Sequence, residues 1–221
     1  MTDTSKPQMR YFTPAIYLLF LTAFYLVGVV GHLIPAAYPY MLKLTPAVLL
    51  LSAGSALYPF ILSGKKEAAV WCIIVFVSTF VFEALGTATG LIFGSYEYGE
   101  TLGVKLLAVP PVIALNWVIV IAGLLFWSTK VCRNVFTTLL FTGAGAVLFD
   151  FVMEPVAIHN GYWYWEGGII PLQNYVSWAI IAAFAAFLWK VLKVKNSSVF
   201  SGYLLLVQFL FFLVLRISYL L

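Results

Sequence analysis

Seven stretches of this chain are long enough and apolar enough to cross a lipid bilayer as helices. A helix needs roughly 20 apolar residues to span the hydrocarbon core, and within lipid a helix satisfies all of its own backbone hydrogen bonds. Charged residues make up 9% of the sequence, against about 25% in a soluble domain. We therefore predict an all-α polytopic membrane protein that forms one helical domain over residues 1–221. The predicted spans are 14–34, 45–63, 68–86, 107–127, 134–154, 174–191 and 199–219.

The basic residues are distributed unevenly between the two ends of these spans. Nine lie in the N-terminal segment and in the connections after spans two, four and six, whereas three lie on the other side. Basic residues accumulate on the cytoplasmic side of membrane proteins. We therefore predict a multi-pass protein of the inner cell membrane, with a polar cytoplasmic segment 1–13 and the C-terminus outside. The nine bases are Lys6, Arg10, Lys65, Lys66, Lys130, Arg133, Lys190, Lys193 and Lys195.

The acidic residues crowd toward the opposite, outer side. Glu83 and Asp150 fall within spans three and five, and Glu154 follows Asp150 at a spacing that places both on one helix face. An ionisable side chain at such a depth is a functional candidate by default. The alternative interpretation is a structural hydrogen bond between helices, or a solvated helix end at the membrane interface.

Two segments of the chain share one layout at an offset of 67 residues. They read FEALGTATGLIFGSYEY from Phe82 and FDFVMEPVAIHNGYWYW from Phe149. Each has an acid after the Phe, a glycine eleven residues after the acid, and a final aromatic-x-aromatic triplet. The layout predicts that spans 3–4 and 5–6 are parallel structural repeats, with Glu83 and Asp150 at matching positions facing one cavity. A chance similarity between apolar segments is the alternative.

Several common chemistries lack their residues in this sequence. It has no glycine-rich phosphate loop followed by lysine, and no His-x-x-x-His or Cys-x-x-Cys metal pattern. We predict neither a metal nor a cofactor. The last span also contains no lysine that could form a Schiff base with retinal. The groups that remain are carboxylic acids, aromatic rings and apolar walls.

These groups suit acid chemistry on an apolar substrate. A carboxyl group in a low dielectric prefers its neutral form, and such a group can deliver a proton to an isolated alkene. Aromatic faces would stabilise the resulting tertiary cation, each by about 2 kcal/mol or more when desolvated. A second carboxylate could orient the attacking water and take its proton.

The quoted segments, with VPPVIALNW and IPLQNYVSW, resemble the membrane carotenoid 1,2-hydratases of bacteria and their archaeal relatives, the bisanhydrobacterioruberin hydratases. The resemblance rests on the combination of Glu-x-x-Gly-x-x-x-Gly, Phe-Gly-x-Tyr-x-Tyr, a Pro-Asn-Trp segment and Asp-x-x-x-Glu-Pro over about residues 70–180. It implies cofactor-free addition of water across the terminal C1–C2 double bond of an acyclic carotenoid. Lycopene, γ-carotene or a longer acyclic carotenoid would gain a tertiary 1-hydroxy end.

We expect Asp150 to be the proton donor, with Glu83 and Glu154 sharing its hydrogen-bond network and positioning water. The aromatic triplets would line or close the site, or would instead form an aromatic belt at the membrane interface. The asparagines hold water or join helices, and His32 relays protons or makes a structural hydrogen bond. The predicted substrate-binding residues are Tyr96, Tyr98, Trp163, Trp165, Asn116, Asn174 and His32.

The expected partners are a carotenoid that enters from the lipid, water and membrane lipid, but no nucleic acid. Other enzymes of carotenoid biosynthesis are candidate partners. Two further functions fit the same residues. One is a membrane lycopene cyclase, in which an internal alkene captures the cation instead of water. The other is a non-enzymatic proton-coupled transporter or carotenoid-binding protein.

Overall fold

The computed structural model describes residues 13–63, 65–194 and 198–221. Within these residues seven helices are long and apolar enough to cross a membrane, which confirms the predicted all-α multi-pass architecture. Residues 1–12 of the predicted N-terminal segment lie outside the described residues, and so does Lys195. Helices α1 to α7 cover Pro14–Leu33, Tyr38–Ser63, Lys65–Thr89, Pro111–Val131, Val135–His159, Leu172–Val191 and Val199–Leu220.

Helix α4 lies at the centre of the bundle. Protein buries 83% of its span, against at most 39% of any other span among the described helices. Helices α2, α3, α5 and α7 surround it. A helix that is apolar on all sides must be surrounded by protein or by lipid, and α4 is surrounded mainly by protein. The outer helices instead expose leucine, valine and isoleucine, as a lipid-facing surface requires.

Helix α5 continues for five residues beyond the predicted end at 154, passing through Pro155 to His159. Proline has no N–H for the carbonyl four residues earlier, which here belongs to Phe151. The guanidinium of Arg216 on α7 donates a hydrogen bond to this carbonyl and lies 4.3 Å from the centre of the Phe151 ring. Arg216 thus replaces the hydrogen bond that Pro155 removes, and the helix persists.

Two predicted helix starts differ from the structure by four residues or more. Helix α2 begins at Tyr38 rather than 45, because a helix can extend beyond the hydrocarbon core into the headgroup region, where hydropathy gives no signal. Helix α4 begins at Pro111 rather than 107. A tight turn precedes it, with a bridge between Leu106 and Val109 and positive φ angles at the two residues between them.

The long connections after α3 and α5 pair with each other as two short antiparallel strands, which the sequence did not predict. Strands β1 (Tyr96–Tyr98) and β2 (Trp163–Trp165) pair so that the first residue of each triplet faces the last residue of the other. This register has local two-fold symmetry. Trp117 on α4 and Trp178 on α6, each of which lies downstream of one of the two segments, stack with ring centres 3.8 Å apart. Both observations agree with the predicted repeat of spans 3–4 and 5–6.

The two connections approach most closely at Gly99, just after β1. A Cβ atom at this position would lie 2.1 Å from the backbone carbonyl oxygen of Gly161. We expect Gly99→Ala to lower the free energy of unfolding by roughly 1–3 kcal/mol through overpacking, measured as a lower melting temperature in detergent. Gly54→Ala is the matched control, since a Cβ there meets nothing within 4 Å. Equal melting temperatures for the two variants would contradict the close approach.

Candidate active site

Three carboxyl groups converge on one small cavity beneath the β1–β2 pair. Glu83 reaches it from α3, and Asp150 and Glu154 reach it from α5; all three side chains are buried. The cavity has an empty volume of about 380 Å³ and lies between α3, α4, α5 and α6. The structure thus places the three predicted catalytic residues together, at the end of the bundle where β1 and β2 pair.

Glu83 accepts hydrogen bonds from three side chains. Its Oε2 accepts from the hydroxyls of Tyr96 and Tyr98, the latter at 2.7 Å, and its Oε1 accepts from the indole N–H of Trp117 at 2.8 Å. Burial, followed by the charge of Glu83, raises the pKa of both tyrosines above the ordinary value of 10.0, so both hydroxyls keep their protons. A carboxylate can accept every one of these hydrogen bonds in its ionised form.

Glu154 has an equivalent set of donors. Its Oε2 accepts from the indole N–H groups of Trp163 and Trp165, each at 3.0 Å, and its Oε1 accepts from the Asn174 amide at 3.3 Å. Because an indole N–H can only donate, Oε2 carries no proton toward either ring. The aromatic triplets therefore act as hydrogen-bond donors to the two glutamates.

These donors change the predicted correspondence between the two segments. By sequence offset Asp150 matches Glu83, but by hydrogen bonding Glu154 takes the position that Glu83 has in the first segment. Each glutamate binds both aromatic residues of its own triplet. Asp150 is therefore an additional carboxyl group without a counterpart in the first segment.

Asp150 has only one hydrogen-bond donor in the described part of the chain. Its Oδ2 accepts from the Asn174 amide at 2.6 Å, whereas its Oδ1 is buried without a partner. Asn174 therefore joins Asp150 to Glu154 through one amide group. Among the carboxyl oxygens of the site, Asp150 Oδ1 is the atom best placed to carry a proton that is free for transfer.

The remaining predicted residues divide between two adjoining cavities. Asn116 lines the small cavity, whereas His32 does not. The Nδ1 of His32 donates to the Gly28 carbonyl at 2.7 Å, so its unpartnered Nε2 is an acceptor. Trp117 and Trp178 also line the small cavity. They were missed as site residues, although each ends a quoted Pro-Asn-Trp segment.

A larger apolar cavity, with an empty volume of about 930 Å³, adjoins the small one. Helices α1, α2, α4, α5 and α7 line it, and His32 belongs to its wall. Four residues line both cavities, which are therefore adjacent: Ile113, Asn116, Met153 and Trp163. A large apolar cavity therefore lies directly beside the cluster of acids. Across the described residues, no three His, Cys, Asp or Glu side chains are grouped so as to hold a metal ion.

Comparison with known proteins identifies the family of this chain. The bisanhydrobacterioruberin hydratase of Haloarcula japonica is 26% identical over 192 residues, which cover 80% of this chain. The chain spans 64% of the length of that relative. No solved structure matches this chain. A family model described as carotenoid biosynthesis protein matches residues 44–220, which include all three acids and both aromatic triplets. This chain therefore belongs to the carotenoid biosynthesis protein family.

Proposed function

We propose that this protein is a carotenoid hydratase, which adds water across the terminal C1–C2 double bond of an acyclic carotenoid end group. The observation that supports this most is the unpartnered, buried Oδ1 of Asp150 at a small cavity that adjoins a large apolar one. The family supplies the substrate class. The name of the similar protein supplies the reaction, the addition of water.

In the first step Asp150 transfers a proton from Oδ1 to C2 of the double bond. The electron pair of the double bond forms the new C–H bond, and the positive charge remains on C1, the more substituted carbon. Trp117 and Trp178 line the cavity, and aromatic faces stabilise a desolvated cation by about 2 kcal/mol or more. The three donors to Glu83 favour the ionised form of its carboxyl group, and in that form it contributes a negative charge at the same cavity.

In the second step water attacks C1 and Glu154 accepts a proton from it. Glu154 suits this role because both of its oxygens accept hydrogen bonds, and such bonds favour the ionised form of a carboxyl group. The proton then returns to Asp150, which Asn174 keeps beside Glu154. Substrate plus water gives the tertiary alcohol, and both carboxyl groups end in their starting states. No cofactor enters this sequence of steps.

We place the site near the outer face of the inner cell membrane. The acids lie where α3 and α5 end, whereas the described basic residues Lys130 and Lys190 lie at the opposite ends of α4 and α6. Basic residues favour the cytoplasmic side. The carotenoid would then dissolve in the bilayer and reach the site from the lipid.

The direct test is expression in a lycopene-producing bacterial host grown in water labelled with heavy oxygen. We expect a pigment heavier by one or two labelled waters, with hydroxyl groups on its terminal tertiary carbons, as measured by mass spectrometry. Cells with the empty vector are the control. An isomer of unchanged mass with cyclic ends would mean a cyclase, and unmodified co-purified pigment would mean a binding protein; either result contradicts the proposal.

A further inference from the structure

We infer that the larger cavity is the channel that binds the end of the polyene, and that the polyene enters it from the lipid between α1 and α2. The identity of the occupant, an acyclic conjugated isoprenoid, rests on the proposed function. The channel itself rests on the position of the cavity and on the side chains that line it.

The cavity reaches the lipid-facing surface at α1 and α2. Val27 on α1 and Leu44 on α2 both line the cavity, yet they are 67% and 50% exposed at the outer surface. These two side chains therefore mark a lateral mouth. Because both are apolar, a hydrocarbon can pass from the acyl chains into the protein without crossing a polar surface.

Aromatic side chains form the wall behind this mouth. Phe24, Tyr25, Phe211 and Phe212 line the cavity from α1 and α7. Gly28 lies beside them without a side chain, and a Cβ there would meet the Phe211 ring at 3.2 Å. Flat, rigid rings suit a straight, flat conjugated chain better than a branched or globular molecule, and the absence of a side chain at Gly28 lets the Phe211 ring lie against α1.

The channel ends at the acids. Asn116 and Met153 line both cavities, so they lie between the aromatic wall and the carboxyl groups, and the inferred passage runs past them. Met153 directly precedes Glu154, and its flexible side chain can adapt to a passing chain end. The order of mouth, aromatic wall, passage and acid requires that the end of the polyene enters first and reaches Asp150 with its terminal double bond.

The first test fills the channel at Gly28. In lipid nanodiscs we expect Gly28→Leu to bind lycopene about tenfold or more weakly than wild type, as measured by quenching of tryptophan fluorescence. The added side chain would overpack the channel when the polyene is bound, and overpacking carries a penalty of this order. Leucine favours a helix more than glycine does, so the helix propensity of α1 is not lowered. Gly54→Leu, on a side of α2 where a Cβ meets nothing within 4 Å, is the matched control and should bind lycopene normally.

The second test closes the mouth reversibly. Cysteines at positions 27 and 44, introduced as Val27→Cys and Leu44→Cys with Cys132→Ser to remove the half-buried native thiol, are joined by a cleavable bis-maleimide. We expect cross-linking to abolish lycopene uptake and cleavage of the linker to restore it. Recovery after cleavage shows that the fold was intact. Each single-cysteine variant treated with the same reagent should keep its uptake.

The outcomes separate the channel from the proposed reaction. Normal lycopene binding by both Gly28→Leu and the cross-linked protein would overturn the channel, whether or not lycopene is hydrated. A bound phospholipid acyl chain that lycopene cannot displace would also overturn it. A third outcome is that Gly28→Leu weakens lycopene binding and the cross-link abolishes it, but the protein never hydrates lycopene. That outcome would support the channel and contradict the hydratase.

Discussion

Replacing Asp150 with asparagine is expected to reduce hydration by roughly 10²- to 10⁴-fold, the usual contribution of a positioned general acid. Asparagine has nearly the same shape as aspartic acid, and its carbonyl oxygen can still accept the hydrogen bond from the Asn174 amide that Oδ2 accepts now. It has no acidic proton to give to the alkene. The variant should therefore insert and fold while losing the first chemical step.

The measurement compares the fraction of hydrated pigment in lycopene-producing cells, normalised to the amount of protein in the membrane. Glu97→Gln is the matched control, because it makes the same acid-to-amide change at an exposed residue of β1. We expect this control to be fully active. Undiminished hydration by Asp150→Asn would remove Asp150 from the mechanism and direct attention to Glu154.

Replacing Glu83 with alanine should cause a large loss of stability. Three buried or half-buried donors, on Tyr96, Tyr98 and Trp117, would lose their common acceptor. An unsatisfied buried donor costs about 1–3 kcal/mol, so we expect the free energy of unfolding to fall by about 3 kcal/mol or more. Glu83→Gln keeps one acceptor oxygen and should lose less.

Melting temperatures in detergent, followed by size-exclusion chromatography after heating, should fall in the order Glu97→Ala, Glu83→Gln, Glu83→Ala. The exposed Glu97 is the control for removing a carboxylate from the same end of the bundle. If Glu83→Ala melted together with wild type, the network around Glu83 could not be what holds β1 against α3 and α4.

The existence of the seven spans could be predicted because lipid excludes charged residues, so each span is a long apolar stretch of sequence with few charged residues. Their ends could not be predicted from local sequence. The extension of α5 through Pro155 depends on Arg216, which lies 65 residues away from the carbonyl that it binds. Hydropathy gives no indication of such a partner, and the proline alone indicates that the helix should stop.

The meeting of the acids could be predicted from the repeat and from the spacing of Asp150 and Glu154, but not the partner of each acid. Glu83 lies six residues before the end of α3, and Glu154 lies five residues before the end of α5. The triplets that follow the helices therefore reach these two residues and not Asp150. This geometry depends on where α5 ends, and Arg216 determines that end.

The larger cavity could not be predicted either, since the sequence does not distinguish apolar side chains that face lipid from those that face a channel.

The stacked indoles of Trp117 and Trp178 have an optical consequence. Two chromophores with ring centres 3.8 Å apart couple their electronic transitions, so the folded protein should show a pair of ellipticity bands of opposite sign that separated tryptophans lack. Both rings line the cavity of the acids, and a chain end arriving there would disturb their coupling. Circular dichroism could therefore follow occupancy of the site in unlabelled protein.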